Sequence, residues 1–291
     1  MRTSAKISLL VIFLLSIAVL VIWWAVVLED RNGKLTVSFL DVGQGDAIFI
    51  DAPSGRQVLI DGGRSSVVLR ELSKVMPWYD KTIDLLIPTH PDADHIGGLI
   101  DVLARYRVAA AIGSSVKGDT GEAKELDHAI SSEGARRVRA MRGQVVDLGP
   151  STSSGLRAYL EILFPDRSVE NVETNTGCVV ARLVYGGTSF MFSCDAPQSV
   201  EKYLAGLDGK NLHANVLKAG HHGSRTSSSE LFIGFVDPEF AVFSRGCDNS
   251  YGHPHKEVIE IFERFEIPTY DTCKNGAITF MSDGNTVQRI Q

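Results

Sequence analysis

Between Lys6 and Glu29 the chain runs for 22 residues, Ile7 to Leu28, without a charge and with only Ser8 and Ser16 as polar breaks. About 20 apolar residues cross the hydrocarbon core of a bilayer as a helix, and a lone segment in lipid has no other way to pair its backbone N–H and C=O groups. The run therefore predicts one transmembrane helix over residues 7–28, with the lipid bilayer as its partner. A cleavable secretory signal has an apolar core of roughly 7–15 residues and a small-x-small exit. Here the exit reads "WWAVVLED", with Val and Leu where small residues belong, which favours an uncleaved anchor. Trp23 and Trp24 suit the interfacial belt. Arg2 and Lys6 precede the span, and Glu29 and Asp30 follow it. The positive-inside bias then puts residues 1–6 in the cytoplasm and everything after residue 30 outside, a single-pass cell-membrane protein. Residues 29–34 read as a linker and 35–291 as one domain.

Composition narrows what that domain does. The chain is 44% hydrophobic and 22% charged, as globular proteins are. From residue 35 onward the formal net charge is −8. A protein that grips nucleic acid by its phosphates carries a basic face instead, although bound divalent cations would offset several of these acids. The four cysteines, Cys178, Cys194, Cys247 and Cys273, show no C-x-x-C spacing. In an oxidising compartment Cys247 and Cys273, each following a strand-like run, are the pair to join; four free buried thiols are the alternative.

Strand-like runs recur throughout: "LTVSFLDV", "DAIFID", "QVLIDGG", "IDLLIPTH", Val108–Ile112, Gln144–Leu148 and Arg157–Phe164. "CVVARLVYGGTSFMFSCD" reads as two strands around a Gly186-Gly187 hairpin, and "ANVLKAGHHGS", "EFAVFSRG" and "AITFMSDG" follow. Helical patterns interleave at about 66–76, 97–106, 122–139, 198–206, 227–235 and 255–266. Hairpin-connected strands first, then strands alternating with helices, predict an α/β sandwich. "GPSTSSG" at 149–155 reads as a surface loop.

One strand ends abnormally. "LIPTHPDADHIGGL" drives Leu, Ile and Pro straight into His90, Asp92, Asp94 and His95. In an extended segment His90 and Asp92 share a face, and Gly97-Gly98 open a helix, so Asp94 and His95 fall in the turn between. Imidazole and carboxylate together suit zinc, manganese or iron. A helix cap would need one acid, not two acids and two histidines in six positions.

"THPDADHIGG" resembles the metal-binding motif of the metallo-β-lactamase superfamily. Its H-x-D-x-D-H-x-G-G form is similar to the hydrolase domain of ComEC-type DNA-uptake proteins. "FLDVGQGDAIFI", "LIDGG", "FSCDA", "LKAGHHGS" and "YGHPH" follow the same subfamily in order, so that the resemblance covers about residues 35–288. It implies an αββα sandwich holding two divalent metal ions, Zn or Mn. His90, Asp92, Asp94 and His95 take the ligand positions of the main motif, Asp195 that of the carboxylate bridging both metals, and His221 that of the late ligand. Asp94 and His222 take the catalytic positions, His222 facing the scissile group. The subfamily usually has Gly where Cys194 stands. "NTGCVV" resembles N-x-x-S, with Asn175 in place and Cys178 in the Ser position. A two-residue turn at Gly186-Gly187 would set Cys178 opposite Asp195, either as a thiolate near the metals or as a small apolar filler.

Asp61 resembles an acid that orients a ligand histidine through its other ring nitrogen. Gly43 and Gly45 would let "DVGQGDA" approach closely, with Gln44 or Asp46 presented to the site or left as solvated turn residues. His253 is a candidate for substrate or metal contact, His255 for an exposed first helical turn, and Lys218 and Arg245 for holding a phosphate. Two metals and a bridging carboxylate suit in-line displacement at phosphorus. The expectation is a membrane-anchored, extracytoplasmic hydrolase acting on phosphodiesters, DNA foremost. A small surface phosphodiester such as a phosphocholine group is the alternative substrate, and an inactive metal-binding interaction module the alternative class. One span cannot by itself form a DNA channel, so uptake alone is not expected.

Overall fold

α1 (Arg2–Glu29) is one helix of 28 residues, about 42 Å long at 1.5 Å per residue. None of residues 6–23 is buried against the rest of the chain, and Leu9, Phe13 and Trp23 are exposed. By length and composition it can cross a membrane. The structure, a computed structural model, describes residues 2–29, 31–151 and 153–291, and the side chains of all of these except 2–5 and 24–29. Arg2, Trp24, Glu29 and Asp30, on which the expected topology draws, lie outside the described side chains.

The first sheet begins with β1 (Leu35–Phe39), β2 (Ile48–Asp51) and β3 (Gln57–Ile60), antiparallel neighbours. β4 (Thr82–Ile87), β5 (Arg107–Gly113) and β6 (Arg136–Arg139) extend it in parallel. Between these strands lie α2 (Val67–Val75), α3 (Ala93–Arg105) and α4 (Gly121–Glu133). The second sheet repeats the plan. β7 (Val145–Pro150), β8 (Arg157–Phe164), β9 (Val180–Tyr185) and β10 (Thr188–Phe192) run antiparallel. β11 (Val216–Lys218), β12 (Phe240–Phe243) and β13 (Thr269–Asp271) then run parallel to β10. α5 (Gln198–Asp208), α6 (Glu230–Val236) and α7 (Lys256–Arg264) connect them. After the short α8 (Thr272–Asn275) the chain returns to the first sheet as β14 (Ile278–Ser282) and β15 (Val287–Arg289).

Both faces of each sheet are apolar because strand side chains alternate. Val58 and Ile60 point between the sheets, where Phe39, Phe190, Phe192 and Phe280 meet them, while Leu59 points to Leu72 and Leu99 of the helices outside. The second sheet sends Leu217 and Ala241 outward to Leu204, Phe232 and Phe262. Three buried layers between four layers of structure make an αββα sandwich, as expected, and each fully buried Leu, Ile, Val or Phe contributes roughly 1.5–3 kcal/mol.

Two helices differ from the sequence expectation. Residues 136–139 are the edge strand β6 and not the end of a helix over 122–139; Gly134 enters the left-handed region at φ 74° and stops α4. α3 starts at Ala93 and not near 97, which lifts Asp94 and His95 into its first turn. Asp92 stands at the N-cap position, yet its side chain makes no capping bond.

Cys247, after β12, and Cys273, in α8, form a disulfide; Cys178 and Cys194 are free and buried. The bridge is possible because β12 and β13 are parallel neighbours. Its partners are 26 residues apart, and closing a loop of that length is worth about 3–4 kcal/mol on the chain-entropy account. Cys247→Ser with Cys273→Ser is therefore expected to lower the melting temperature by roughly 6–16 °C in oxidised protein. A shift within 2 °C in calorimetry would contradict it.

Candidate metal centre

Parallel strands in both sheets end at one rim, where open sheets place their sites. Asp61 follows β3, Thr89 to His95 follow β4, Cys194 and Asp195 follow β10, and His221 and His222 follow β11.

Asp61 organises the first group. It lies just past β3 with φ 56°. Its Oδ2 accepts from His95 Nδ1 at 2.8 Å and from Thr89 Oγ1 at 2.7 Å, and its Oδ1 accepts from the Thr89 N–H at 2.8 Å. Thr89 Oγ1, its proton given to Asp61, accepts from His90 Nδ1 at 3.0 Å. One carboxylate thereby fixes the tautomer of two imidazoles and turns both Nε2 atoms into the cleft. Asp61→Ala is expected to weaken metal binding about 10–100-fold in a chelator competition; unchanged affinity would contradict the orienting role.

Asp195 organises the second. Its Oδ2 lies 3.3 Å from His95 Nε2, 3.4 Å from His222 Nε2 and 3.6 Å from His221 Nε2. Its Oδ1 faces Lys218 Nζ at 3.4 Å. Lys218 is fully buried and also bonded to Asp46 and, at 3.2 Å, to the Cys194 carbonyl. In each of three groups the donor atoms lie within 4.8 Å of one another: Asp94, His95 and His222; Asp46, His95 and Asp195; and His90, His95 and Cys194.

His90, His95 and His222 each bury an Nε2 with no hydrogen-bond partner among the described residues. A buried polar atom left unpaired costs about 1–3 kcal/mol, and three facing one acid-lined cleft fit divalent cations. Burial disfavours charge on His95 and His222, but Asp195 beside both, with Asp61 at one and Asp46 at the other, holds both pKa values well above the ordinary one. The cleft is built to hold positive charge.

Local backbone explains how consecutive residues reach in. His221 and His222 both have positive φ, 48° and 56°, a conformation costing roughly 1–2 kcal/mol per residue. It is held by the His221 N–H donating to the Cys194 carbonyl at 3.0 Å and by His222 Nδ1 donating to the Ser244 carbonyl at 2.8 Å. Cys194 also has positive φ, 51°, which accounts for the glycine usual there. Gly45 has φ 125°, and a Cβ on it would overlap the Asp94 carbonyl; the Asp46 N–H donates to that carbonyl at 3.3 Å. Only glycine lets the loop seat Asp46 here.

The expected residues separate by depth. His90, His95, Asp46, Asp61, Asp195 and His222 are buried together, and Asp94 borders them. Asp92 stands half-open at the mouth, 3.5 Å from His90 Nε2. Of the histidine pair, His222 is the more deeply buried, because its left-handed turn sends it inward. His221 keeps a quarter of its side chain exposed and pairs Nδ1 with Thr226 Oγ1 at 3.0 Å. Lys218 and Arg245 are not placed to hold a phosphate: the first is enclosed by acids, and the second is committed to Asp271 at 2.6 and 2.8 Å. Gln44 accepts from the Gly246 N–H at 3.2 Å and braces a loop. Asn175 sits in a short turn with its Oδ1 buried and without a hydrogen-bond partner among the described residues, and Cys178, buried in the outer core, lies outside these groups of His, Cys and acid donors. The thiol nearest the histidines is Cys194, with Sγ 3.4 Å from His90 Nδ1; burial pushes both thiols up and keeps them protonated. His253 is buried at the cleft edge, its ring 5.7 Å from that of His221. His255 is the N-cap residue of α7. Thr89 and Ser244 went unnoticed in the sequence, since a hydroxyl beside a histidine and a backbone carbonyl carry no spacing signal.

Residues 40–246 match the sequence profile of the metallo-beta-lactamase superfamily. ComE operon protein 3 of Bacillus subtilis is 30% identical over 84% of the chain and 32% of its own length. Recombination protein 2 of Haemophilus influenzae is 29% identical over 95% of the chain and 33% of its own length. The chain thus spans about a third of the curated relatives it matches. Among solved structures, Igni18, a metallo hydrolase from Ignicoccus hospitalis, superposes with TM-score 0.55 at 16% identity, covering 84% of this chain and 98% of that one. CmlA, a diiron β-hydroxylase from Streptomyces venezuelae, gives TM-score 0.52 at 13% identity, covering 81% and 52%. At such identities the likeness is one of fold.

Proposed function

The chain belongs to the metallo-beta-lactamase superfamily, and from that premise we propose that it is a phosphodiesterase of the nuclease type, anchored by residues 7–28 with its hydrolase domain on the extracytoplasmic side. The reading rests on one observation: three buried, unpaired imidazole nitrogens share a cleft with Asp46, Asp94 and Asp195. A mixed imidazole and carboxylate set suits Zn²⁺ or Mn²⁺. We assign two such ions to His90, Asp92, Asp94, His95, Asp195 and His222. When bound, they supply Lewis acidity and a water-derived nucleophile near neutral pH.

The chain's own residues do the rest. Lys218 takes one oxygen of Asp195, leaving Oδ2 to His95, His221 and His222. Asp61 holds His95 directly, and His90 through Thr89, in a single tautomer. His221, nearer solvent than His222, takes the position facing the scissile group. Burial holds His221 below the usual imidazole range, and burial with neighbouring His222 lowers His253 to about 4. Both rings are then neutral at pH 7: His221, its Nδ1–H donated to Thr226 Oγ1, keeps a bare Nε2 at the cleft as a proton acceptor, and His253 offers an N–H to a developing oxyanion. The Cys247–Cys273 disulfide accords with an oxidising compartment. A relative named for recombination points to DNA. The net charge of −8 beyond residue 34 favours a smaller surface phosphodiester as the second reading.

The test uses the full chain in detergent, loaded with Mn²⁺ or Zn²⁺, against bis-p-nitrophenyl phosphate, single- and double-stranded DNA, and nitrocefin. Cleavage of DNA and the small diester but not nitrocefin, stopped by a chelator, is the expected result. Turnover of the small diester alone moves the assignment to the second reading. Bound metal without any cleavage defeats both.

A further inference from the structure

Tyr251 lies in the loop between β12 and α7 and leaves 59% of its surface exposed. Its ring stacks on His253, with centroids 5.5 Å apart and planes 23° from parallel. His253 meets His221 at 5.7 Å and His222 at 6.5 Å. A line of rings therefore runs from solvent to the cleft, and its outermost member is bare. The loop that carries it is held at several points. The Asn249 side-chain amide donates to the Gly246 and His253 carbonyls at 2.8 and 2.9 Å, and its Oδ1 accepts from the His253 N–H at 2.9 Å. The Cys247–Cys273 disulfide ties the start of the loop. The His255 N–H, donating to the Gly223 carbonyl at 2.9 Å, ties its end to the turn that bears His221 and His222.

Resting on the phosphodiesterase reading, we propose that Tyr251 is a stacking platform for a nucleobase, which makes the substrate a nucleic acid strand whose base beside the scissile linkage lies on this ring. A pre-positioned aromatic face beside a phosphodiester site accepts any base, because every base has a π face. A quaternary ammonium group, the other headgroup a phosphodiester could bring, is captured by a cage of several rings. Tyr251 offers one flat face, its neighbour His253 lying stacked beneath it and not opposite it.

The experiment compares fluorescein-labelled oligothymidylate with a baseless deoxyribose-phosphate oligomer of equal length, on the full chain with Mn²⁺. Binding is read by anisotropy and hydrolysis by gel. Wild type is expected to bind the thymidylate about 10-fold more tightly than the baseless strand. Tyr251→Ala is expected to erase that preference, and Tyr251→Trp to keep it. Because the ring is on the surface, both variants should melt as wild type does, which calorimetry checks. Base preference without hydrolysis keeps the subsite and overturns the assigned activity. Hydrolysis with equal affinities for the two strands overturns the subsite and keeps the activity. Tyr251-dependent competition by tetramethylammonium, with no base preference, also overturns the nucleobase assignment.

Discussion

Lys218→Met is expected to lower the melting temperature of the metal-free chain by roughly 6–20 °C, from a loss of about 3–5 kcal/mol. The lysine is fully buried, and its ammonium joins Asp46 and Asp195. Burial alone would strip its charge, but those two acids outweigh burial and hold its pKa above the usual lysine range. Methionine fills much of the same space without the charge, which leaves two enclosed carboxylates without a fixed cation. Divalent ions, which bind only the folded chain, should then recover more stability in the variant than in wild type. Melting curves with and without Mn²⁺ decide it. If the two metal-free proteins melt together, the lysine is not what compensates these acids.

Asp195→Ala is expected to leave the chain folded and to cut kcat/KM on bis-p-nitrophenyl phosphate by at least about a thousandfold. Removing one preorganised charge-stabilising group already costs about 10²–10³, and the lost oxygen here lies within 3.6 Å of three imidazoles. Folding survives because Lys218 keeps Asp46 as its partner. Bound metal, measured by elemental analysis, should fall in the same variant. Activity within tenfold of wild type would defeat the assigned role of Asp195 and the two-metal reading with it.

How much of this was legible in the sequence follows from the range of each interaction. The apolar run of residues 7–28 constrains its own backbone, so its helix was readable without any neighbour. The β-period of "QVLI" and "TSFMF", and the turn signal at Gly186-Gly187, are likewise local, and they fall as expected in β3, β10 and the hairpin between β9 and β10. The crowding of His90, Asp92, Asp94 and His95 pointed to one place in the fold, and the structure buries His90 and His95 together there with Asp94 at their border. Asp61 was assigned an orienting part from its motif, and the structure bonds it to His95.

Local pattern misled where a single residue or a distant partner decides. Arg136–Arg139 carry no strand signal of their own and pair only because Gly134 ends the helix beside the open edge of β5. Nothing in "AGHHGS" says which histidine turns inward; two positive φ values, held by the Cys194 and Ser244 carbonyls, decide that. Lys218 looked like a surface charge available for phosphate, but burial and two acids from separate strand ends make it part of the foundation of the site.

The order of apolar and polar residues determined the anchor helix, the strands and the sandwich, because those answer to periodicity and to what a backbone can bond within a few residues. Depth was decided only by tertiary structure: which imidazole is enclosed, which acid holds which ring, and where Lys218 ends up. Those outcomes depend on groups from 22 to more than a hundred residues apart meeting at one rim, and no local pattern records those distances.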